Sequence, residues 1–337
     1  MPLYPLLLEP IYKEKVWGGR ALERLGRTLP GGAETRIGES WELADLDVTS
    51  PSGGGGAGAH SRIRNGPLRE RTLREVIRDF GALVTGGVRM TPSGGFPLLV
   101  KYLDARENLS VQVHPSPAWA AAHPDAHLKS EAWYVVDADP GAVIYKGVRA
   151  GTTRAAFEAA IADGSVAEML ISVPARAGAC HYLPSGTCHA LGAGIVVAEV
   201  QTPSDTTFRV FDWGRTDREL HVAEALECID FGPVDVSAFE PGTELEEAGL
   251  EGSHLVECEH FGVRRWAVPE GRERVRAGDA MEVLMVVRGD GVIRWGEAAH
   301  QLEIRSGDTV LLPAALGAAS IEARSEMDLL EIGVPPG

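Results

Sequence analysis

Two stretches far apart in this 337-residue chain share one frame. Residues 178–189 read GACHYLPSGTCH, and residues 307–318 read GDTVLLPAALGA. In each, a glycine precedes a short strand pattern, a proline closes it (Pro184, Pro313), and a marked residue follows five places later. A turn–strand–proline–turn frame that occurs twice requires two copies of one β module, not a single core stretched over the whole chain. The copies differ where they end: the first closes on His189, the second on Ala318. One module therefore carries a candidate ligand where the other has a methyl group.

The rest of the chain agrees with a mainly β reading. Short apolar runs such as WELADLDV (41–48), GIVVAEVQ (194–201) and TTFRVFDW (206–213) are separated by turn residues, and the same texture returns from residue 254 to the end. Asp290-Gly291 between apolar strands predicts a hairpin. PSGGGGAGAH (51–60) lacks the G-x-x-x-x-G-K-[ST] context of a phosphate loop and reads as a flexible connector. Two segments break the β texture. In residues 68–83, Leu73, Val76, Ile77 and Phe80 recur at helical spacing among charged residues, which predicts an amphipathic helix on a core. Residues 152–171 are alanine-rich and interrupted at Gly164, which predicts two short helices. The acidic stretch after residue 235 reads as a connection. The expected organisation is a first module over 1–235, a connecting segment over 236–253 and a second module over 254–337.

Charge and cysteine content exclude several classes. The chain has 32 basic and 48 acidic residues, a formal net charge of -16. A nucleic-acid duplex repels such a surface unless a basic face is set apart, and no basic run supplies one. A small anion is compatible, since a few Arg and Lys inside one cleft override the net charge. Cys180, Cys188, Cys228 and Cys258 are too few for a disulfide scaffold. The start, MPLYPLLLEP, has no basic leader, and no window approaches the roughly 18 apolar residues of a membrane span. The expectation is a reduced, cytoplasmic, soluble protein, a monomer or weak homo-oligomer, that meets neither nucleic acid nor membrane.

Residues 109–115, LSVQVHP, alternate strictly. Leu109, Val111 and Val113 share one strand face; Ser110, Gln112 and His114 share the other, and Pro115 ends the strand. Glu131 opens the apolar strand pattern EAWYVV, and His189 follows the Pro184 turn. Together these offer an amide oxygen, a carboxylate and two imidazoles. Such a nitrogen and oxygen set suits zinc, and also nickel, cobalt, manganese or iron. A lone histidine on a polar strand face is ordinarily a hydrogen-bonded residue, so the other histidines are left with that role. His181 differs in strand parity from Cys180 and Tyr182 and is left out of the set. Cys180 and Cys188 fit equally well as small buried hydrophobes.

The strings LSVQVHP, KSEAWYV, LPSGTCHALG and VQTPSDTTFRVFDWGR occur in the order found in the type I mannose-6-phosphate isomerases of compact bacterial form, which the chain closely resembles. EPIYKEKVWGG and IGESWELAD resemble that family as well, and the likeness runs densely from about residue 5 to 220. The repeated frame resembles the second motif of the cupin superfamily. The resemblance implies two cupin-type jelly-roll barrel modules, with helices inserted in or packed on the first and a second module without metal.

The resemblance further implies one zinc ion per chain, held by Gln112, His114, Glu131 and His189. It implies reversible interconversion of mannose 6-phosphate and fructose 6-phosphate through ring opening and a cis-enediol. Moving a proton between C1 and C2 calls for a base within reach and for a cation or dipole against the enediolate. Lys129 shares strand parity with Glu131 and is expected to face the cavity. Glu199 lies inside an apolar strand, and Arg209 follows ten residues later. Lys101 also lies on an apolar strand, where an outward-snorkelling stem is the ordinary reading. Which of these is the base stays open at this level. For the substrate phosphate the resemblance points to Arg215, with Ser110 as a hydrogen-bond donor. Trp133, sharing parity with Glu131, is expected to line the cavity. Three other activities share the barrel: a non-catalytic sugar-phosphate sensor, a metal oxidase, and an isomerase of another phosphorylated aldose. The complete ligand set argues against the first, and Gln112 in place of an imidazole against the second.

Overall fold

The computed structural model describes residues 2–49, 56–123, 126–233, 242–276, 278, 280–298 and 300–336. Its strands pair antiparallel in four main sheets, two to each module. In the first module, a six-stranded sheet has the order Cys180–Leu183, Glu131–Ala138, Ile195–Gln201, Leu99–Ala105, Ile37–Leu43 and Ile11–Gly19. Facing it is a five-stranded sheet of Leu170–Pro174, Val143–Val148, His189–Leu191, Val111–Val113 and Phe208–Phe211. The second module pairs a seven-stranded sheet with a four-stranded one. Among the described residues no helix is long and apolar enough to cross a membrane.

The apolar pattern explains how the modules meet. Ile195–Gln201 is buried along its whole length. Ile195 and Val197 join Trp133, Leu183 and Leu103 inside the first barrel. Val196, Ala198 and Val200 turn to the opposite face, into a core that also holds Val283, Met285, Leu330 and Ile332 of the second module. The two large sheets therefore pack back to back, and a strand covered on both faces reads as a continuous apolar run, not an alternating one. Arg27 crosses this junction. Its side chain, 8% exposed, donates to both oxygens of Glu42 at 2.6 and 2.7 Å and to Ser40 Oγ at 2.7 Å, and it also donates to the carbonyl of Gly307.

The helices follow their local signals. Thr72 accepts from the Glu75 backbone N–H while the Glu75 carboxylate reaches back to Thr72, a reciprocal cap that starts the helix at Leu73. This helix, Leu73–Phe80, buries Leu73, Val76 and Ile77, and a short one, Ala82–Thr85, follows Gly81. Helix Arg154–Asp163 ends at Gly164, in the left-handed region at φ 83°, before a 3-10 turn over Val166–Met169. Leu170 already begins a strand.

Both copies of the repeated frame adopt one conformation. Gly178 and Gly307 lie at φ 88° and 86°, and strands Cys180–Leu183 and Thr309–Leu312 follow, each closed by its proline. The left-handed turn is what selects glycine at both places.

Three expectations need correction. Leu6–Leu7 pairs with Val310 and Leu311, so the N-terminal residues complete the second module's sheet. Of the expected connecting segment 236–253, residues 234–241 lie outside the described residues, while Thr243–Glu247 and Leu250–Glu257 form a strand pair of the seven-stranded sheet. Asp290-Gly291 is not a hairpin turn: Glu282–Arg288 pairs within the large sheet, whereas Asp290–Trp295 pairs within the small one, so the chain changes sheets there. Of the glycine-rich connector, residues 51–55 lie outside the described residues, and Ala59–His60 pairs with Asp45–Leu46.

Candidate metal centre and active site

Val111 and Val113 are fully buried in a core shared with Phe157, Leu170 and Val210. Strand alternation then turns Gln112 inward, and His114 follows on the same side. His189 lies directly opposite Gln112 in the ladder, and Glu131 enters from the facing sheet. The ligand atoms of His114, Glu131 and His189 all lie within 4.8 Å of one another, and each residue is at most 1% exposed. His189 Nε2 is 3.2 Å from Glu131 Oε1, and His114 Nε2 is 3.5 Å from Glu131 Oε2. The Gln112 amide nitrogen is 3.3 Å from His189 Nε2, and its oxygen accepts from Ser110 Oγ at 3.2 Å.

The outer nitrogen of each imidazole is committed elsewhere. His114 Nδ1 lies 2.9 Å from the Thr206 carbonyl, and His189 Nδ1 lies 2.8 Å from that of Thr187. A carbonyl only accepts, so each Nδ1 donates and each Nε2 presents a lone pair inward. Burial, followed by the neighbouring Lys129 charge, pushes the His114 pKa down to about 3 and keeps the ring neutral. Glu131 Oε1 is buried with no hydrogen-bond partner among the described residues. An orphaned carboxylate oxygen beside two inward lone pairs is a donor set of the kind a divalent metal takes, so these residues fit one.

Lys129 supplies the positive charge seen here. Its ammonium is 2.9 Å from His114 Nε2 and contacts Glu131 Oε2. Burial alone would raise the Glu131 pKa, but the Lys129 charge holds it well below the ordinary carboxylate range.

A cleft enclosing about 620 Å³ of empty space, its mouth included, opens beside this cluster. Its far wall is a second charged network. Lys101 is 5% exposed and points inward, correcting the expected outward stem; it lies 3.2 Å from Glu199 and 3.8 Å from Glu39. Trp133 Nε1 donates to Glu199 at 2.9 Å, and Trp41 Nε1 donates to Glu39 at 2.6 Å. Lys15 lies 3.2 Å from Glu39. Burial opposes the Glu39 charge, but Lys15 and Lys101 outweigh it and hold the pKa at about 2.

Ser110, Lys129, Trp133, Glu199 and Arg209 line the cleft. Arg209, opposite Gln112 in the ladder, donates from Nη1 to the Glu219 carbonyl at 2.7 Å. Arg215 stands apart from the lining: it pairs with Asp212 at 2.7 Å and donates to the Asn108 carbonyl at 2.7 Å. Arg218, also bonded to Asp212, lines the cleft instead. Burial lowers the Arg209 pKa, and the nearby charges of Arg218 and Arg215 lower it further. Sequence reasoning missed Arg218, Lys15 and Glu39. Lys15 and Trp17 reach the cleft through an irregularity in Ile11–Gly19, where Glu14 and Gly19 both lie opposite Ile37. His181 is turned into the barrel by the same parity that set it apart from its neighbours. It is 1% exposed, outside the ligand cluster, and burial followed by the Lys146 charge lowers its pKa to about 4.

Comparison with known proteins adds an independent line. Residues 6–144 match the family described as phosphomannose isomerase type I, catalytic domain, and residues 251–329 match mannose-6-phosphate isomerase, cupin domain. The chain is 33% identical over 336 residues to mannose-6-phosphate isomerase ManA of Bacillus subtilis, spanning 97% of this chain and 98% of that protein. The crystal structure of the mannose 6-phosphate isomerase from Bacillus subtilis superimposes with a TM-score of 0.85 at 30% identity, covering 98% of this chain and all 100% of that one. A mannose 6-phosphate isomerase bound with zinc and yttrium shares the fold, with a TM-score of 0.73 at 17% identity over 98% of this chain and 100% of that one.

Proposed function

The chain belongs to the type I mannose-6-phosphate isomerase family, and from that premise we propose that it interconverts mannose 6-phosphate and fructose 6-phosphate through a cis-enediol, with one zinc ion held by Gln112, His114, Glu131 and His189. The observation that carries the reading is the orphaned Glu131 oxygen set beside two inward-facing imidazole nitrogens. Bound there, the ion supplies a Lewis acid against the sugar oxygens that lowers the cost of the enediolate.

The protein's own groups supply the rest. Lys129 and Glu199 both line the cleft and carry the proton between C1 and C2. Trp133 and Lys101 hold the Glu199 carboxylate in place. Arg209, whose buried Nε has no hydrogen-bond partner among the described residues, offers its charge to the developing enediolate. Ser110 and Arg218 meet the phosphate. Arg215 acts behind them by fixing Asp212, which in turn orients Arg218. The four cysteines are unpaired, which supports a reducing cytoplasm. The net charge of -16 favours a protein that binds no nucleic acid.

A coupled assay of fructose 6-phosphate formation, run with and without chelator, tests the reading. Chelation abolishes turnover and added zinc restores it; full activity in a metal-free sample overturns the assignment. The same assay with other phosphorylated aldoses tests the substrate.

A further inference from the structure

The second module retains more of the first module's site than its missing histidine suggests. Strand register gives the correspondence. Glu131 lies opposite Leu183, the residue before Pro184, and opposite Gln201. Glu282 lies opposite Leu312, the residue before Pro313, and opposite Gly333. Glu282 is therefore the counterpart of Glu131. Two residues before Gln201 stands Glu199, and two before Gly333 stands Glu331, so the second carboxylate is retained as well. Strand Glu273–Arg276 pairs with Ala319–Ala323 as Val111–Val113 pairs with His189–Leu191. It turns Arg274 and Arg276 inward where the first module turns Ser110 and Gln112.

Arg274, Trp266 and Glu331 are hydrogen-bonded to one another, whereas Arg276 meets Glu282 as an ion pair, its Nε having no hydrogen-bond partner among the described residues. Arg274 donates to Glu331 Oε2 at 2.6 Å and stacks on the Trp266 ring at 4.3 Å. Trp266 Nε1 donates to Glu331 at 3.1 Å, as Trp133 Nε1 does to Glu199 at 2.9 Å. Arg276, 2% exposed, places Nε 3.4 Å from Glu282 Oε2, and its other nitrogens donate to the carbonyls of Gly317, at 2.7 Å, and Ala280. Gly317 lies two residues before Ala319, which stands opposite Arg276 as His189 stands opposite Gln112.

We propose that the guanidinium of Arg276 is the built-in cation of the second module, occupying the role there that a divalent ion holds in the first. A carboxylate largely withdrawn from water, as Glu282 is with its side chain 20% exposed, is stabilised by a counter-charge. With alanine instead of histidine at 319 the module has too few lone pairs to hold a metal, and an arginine on the adjacent strand delivers a positive charge that no chelator removes. Burial and the Glu331 charge push the Glu282 pKa up, and Arg276 and Arg274 oppose them, as expected for two acids sharing a buried frame with two guanidinium groups. The inference rests on reading Glu131 as a cation ligand. Its test reads stability, not turnover, so loss of the zinc assignment and loss of this coupling are distinguishable.

The experiment compares melting temperatures of the full chain, zinc-loaded, as wild type, R276M, E282Q and R276M/E282Q. R276M lowers Tm by roughly 5–15 °C, and the double variant regains at least half of that loss because the stranded carboxylate is gone. Low-millimolar methylguanidinium raises the Tm of R276A but not that of wild type or of R264A, whose arginine is half-exposed. An unchanged Tm in R276M, strictly additive penalties in the double variant, or no response of R276A to methylguanidinium overturns the proposal. Should R276M yield no folded protein, recovery of folded R276M/E282Q supports the proposal and its failure to fold overturns it.

Discussion

Replacing Glu39 with glutamine isolates one buried charge at the wall of the cleft. Glu39 accepts from Trp41 Nε1 at 2.6 Å and lies 3.2 Å from Lys15 and 3.8 Å from Lys101. Burial opposes its charge, yet the two lysines bring its pKa from an ordinary 4.5 to about 2. Because the folded value lies below the unfolded one, the stabilisation is fully present above pH 4.5 and is lost as pH falls toward 2. A fall of that size corresponds to about 3 kcal/mol at neutral pH, of which roughly 1 kcal/mol is gone by pH 3.5. E39Q should thus lower Tm by about 6–12 °C at pH 7 and by visibly less at pH 3.5. Melting curves of wild type and E39Q across pH 7, 4.5 and 3.5 provide the measurement. A Tm gap that stays constant over that range, or widens as pH falls, refutes the electrostatic account of this wall.

Other perturbations separate the remaining parts. Q112A and H189A should lose both bound metal by elemental analysis and turnover in the coupled assay. R218M should raise KM for the phosphorylated sugar by about 10–100-fold with a smaller effect on kcat, the loss expected of a charged hydrogen bond; an unchanged KM removes Arg218 from the phosphate subsite. R27M strands the Glu42 carboxylate at the module junction and should cost about 3–5 kcal/mol, largely restored in R27M/E42Q; urea unfolding of the two variants gives the comparison.

The metal cluster was legible because its strand has one apolar and one polar face: Val111 and Val113 in the core leave Gln112 and His114 only one direction to point. Lys101 was not legible in this way. Its strand, Leu99–Ala105, is buried along its whole length, so parity alone cannot separate the barrel interior from the junction between modules. Lys15 reaches the cleft through a break in ladder register, which periodicity does not record. Arg215 and Arg218 follow a turn at Trp213 and Gly214 with no repeating pattern; both are bonded to Asp212, and Arg215 is held in addition by the Asn108 carbonyl and Glu107. Asp290-Gly291 carried a sound local signal, but pairing partners in two different sheets overrode it.

The strand that presents Glu199 to the cleft also presents Ala198 and Val200 to Val283, Met285 and their neighbours in the other half of the molecule. The two halves thus share a party wall, with chemistry on one side and the footing of the second barrel on the other. Trimming the chain to its ligand-bearing half would leave that wall bare to water. A methyl group added or removed at Ala198 would be felt in the cleft without any atom of its lining being exchanged.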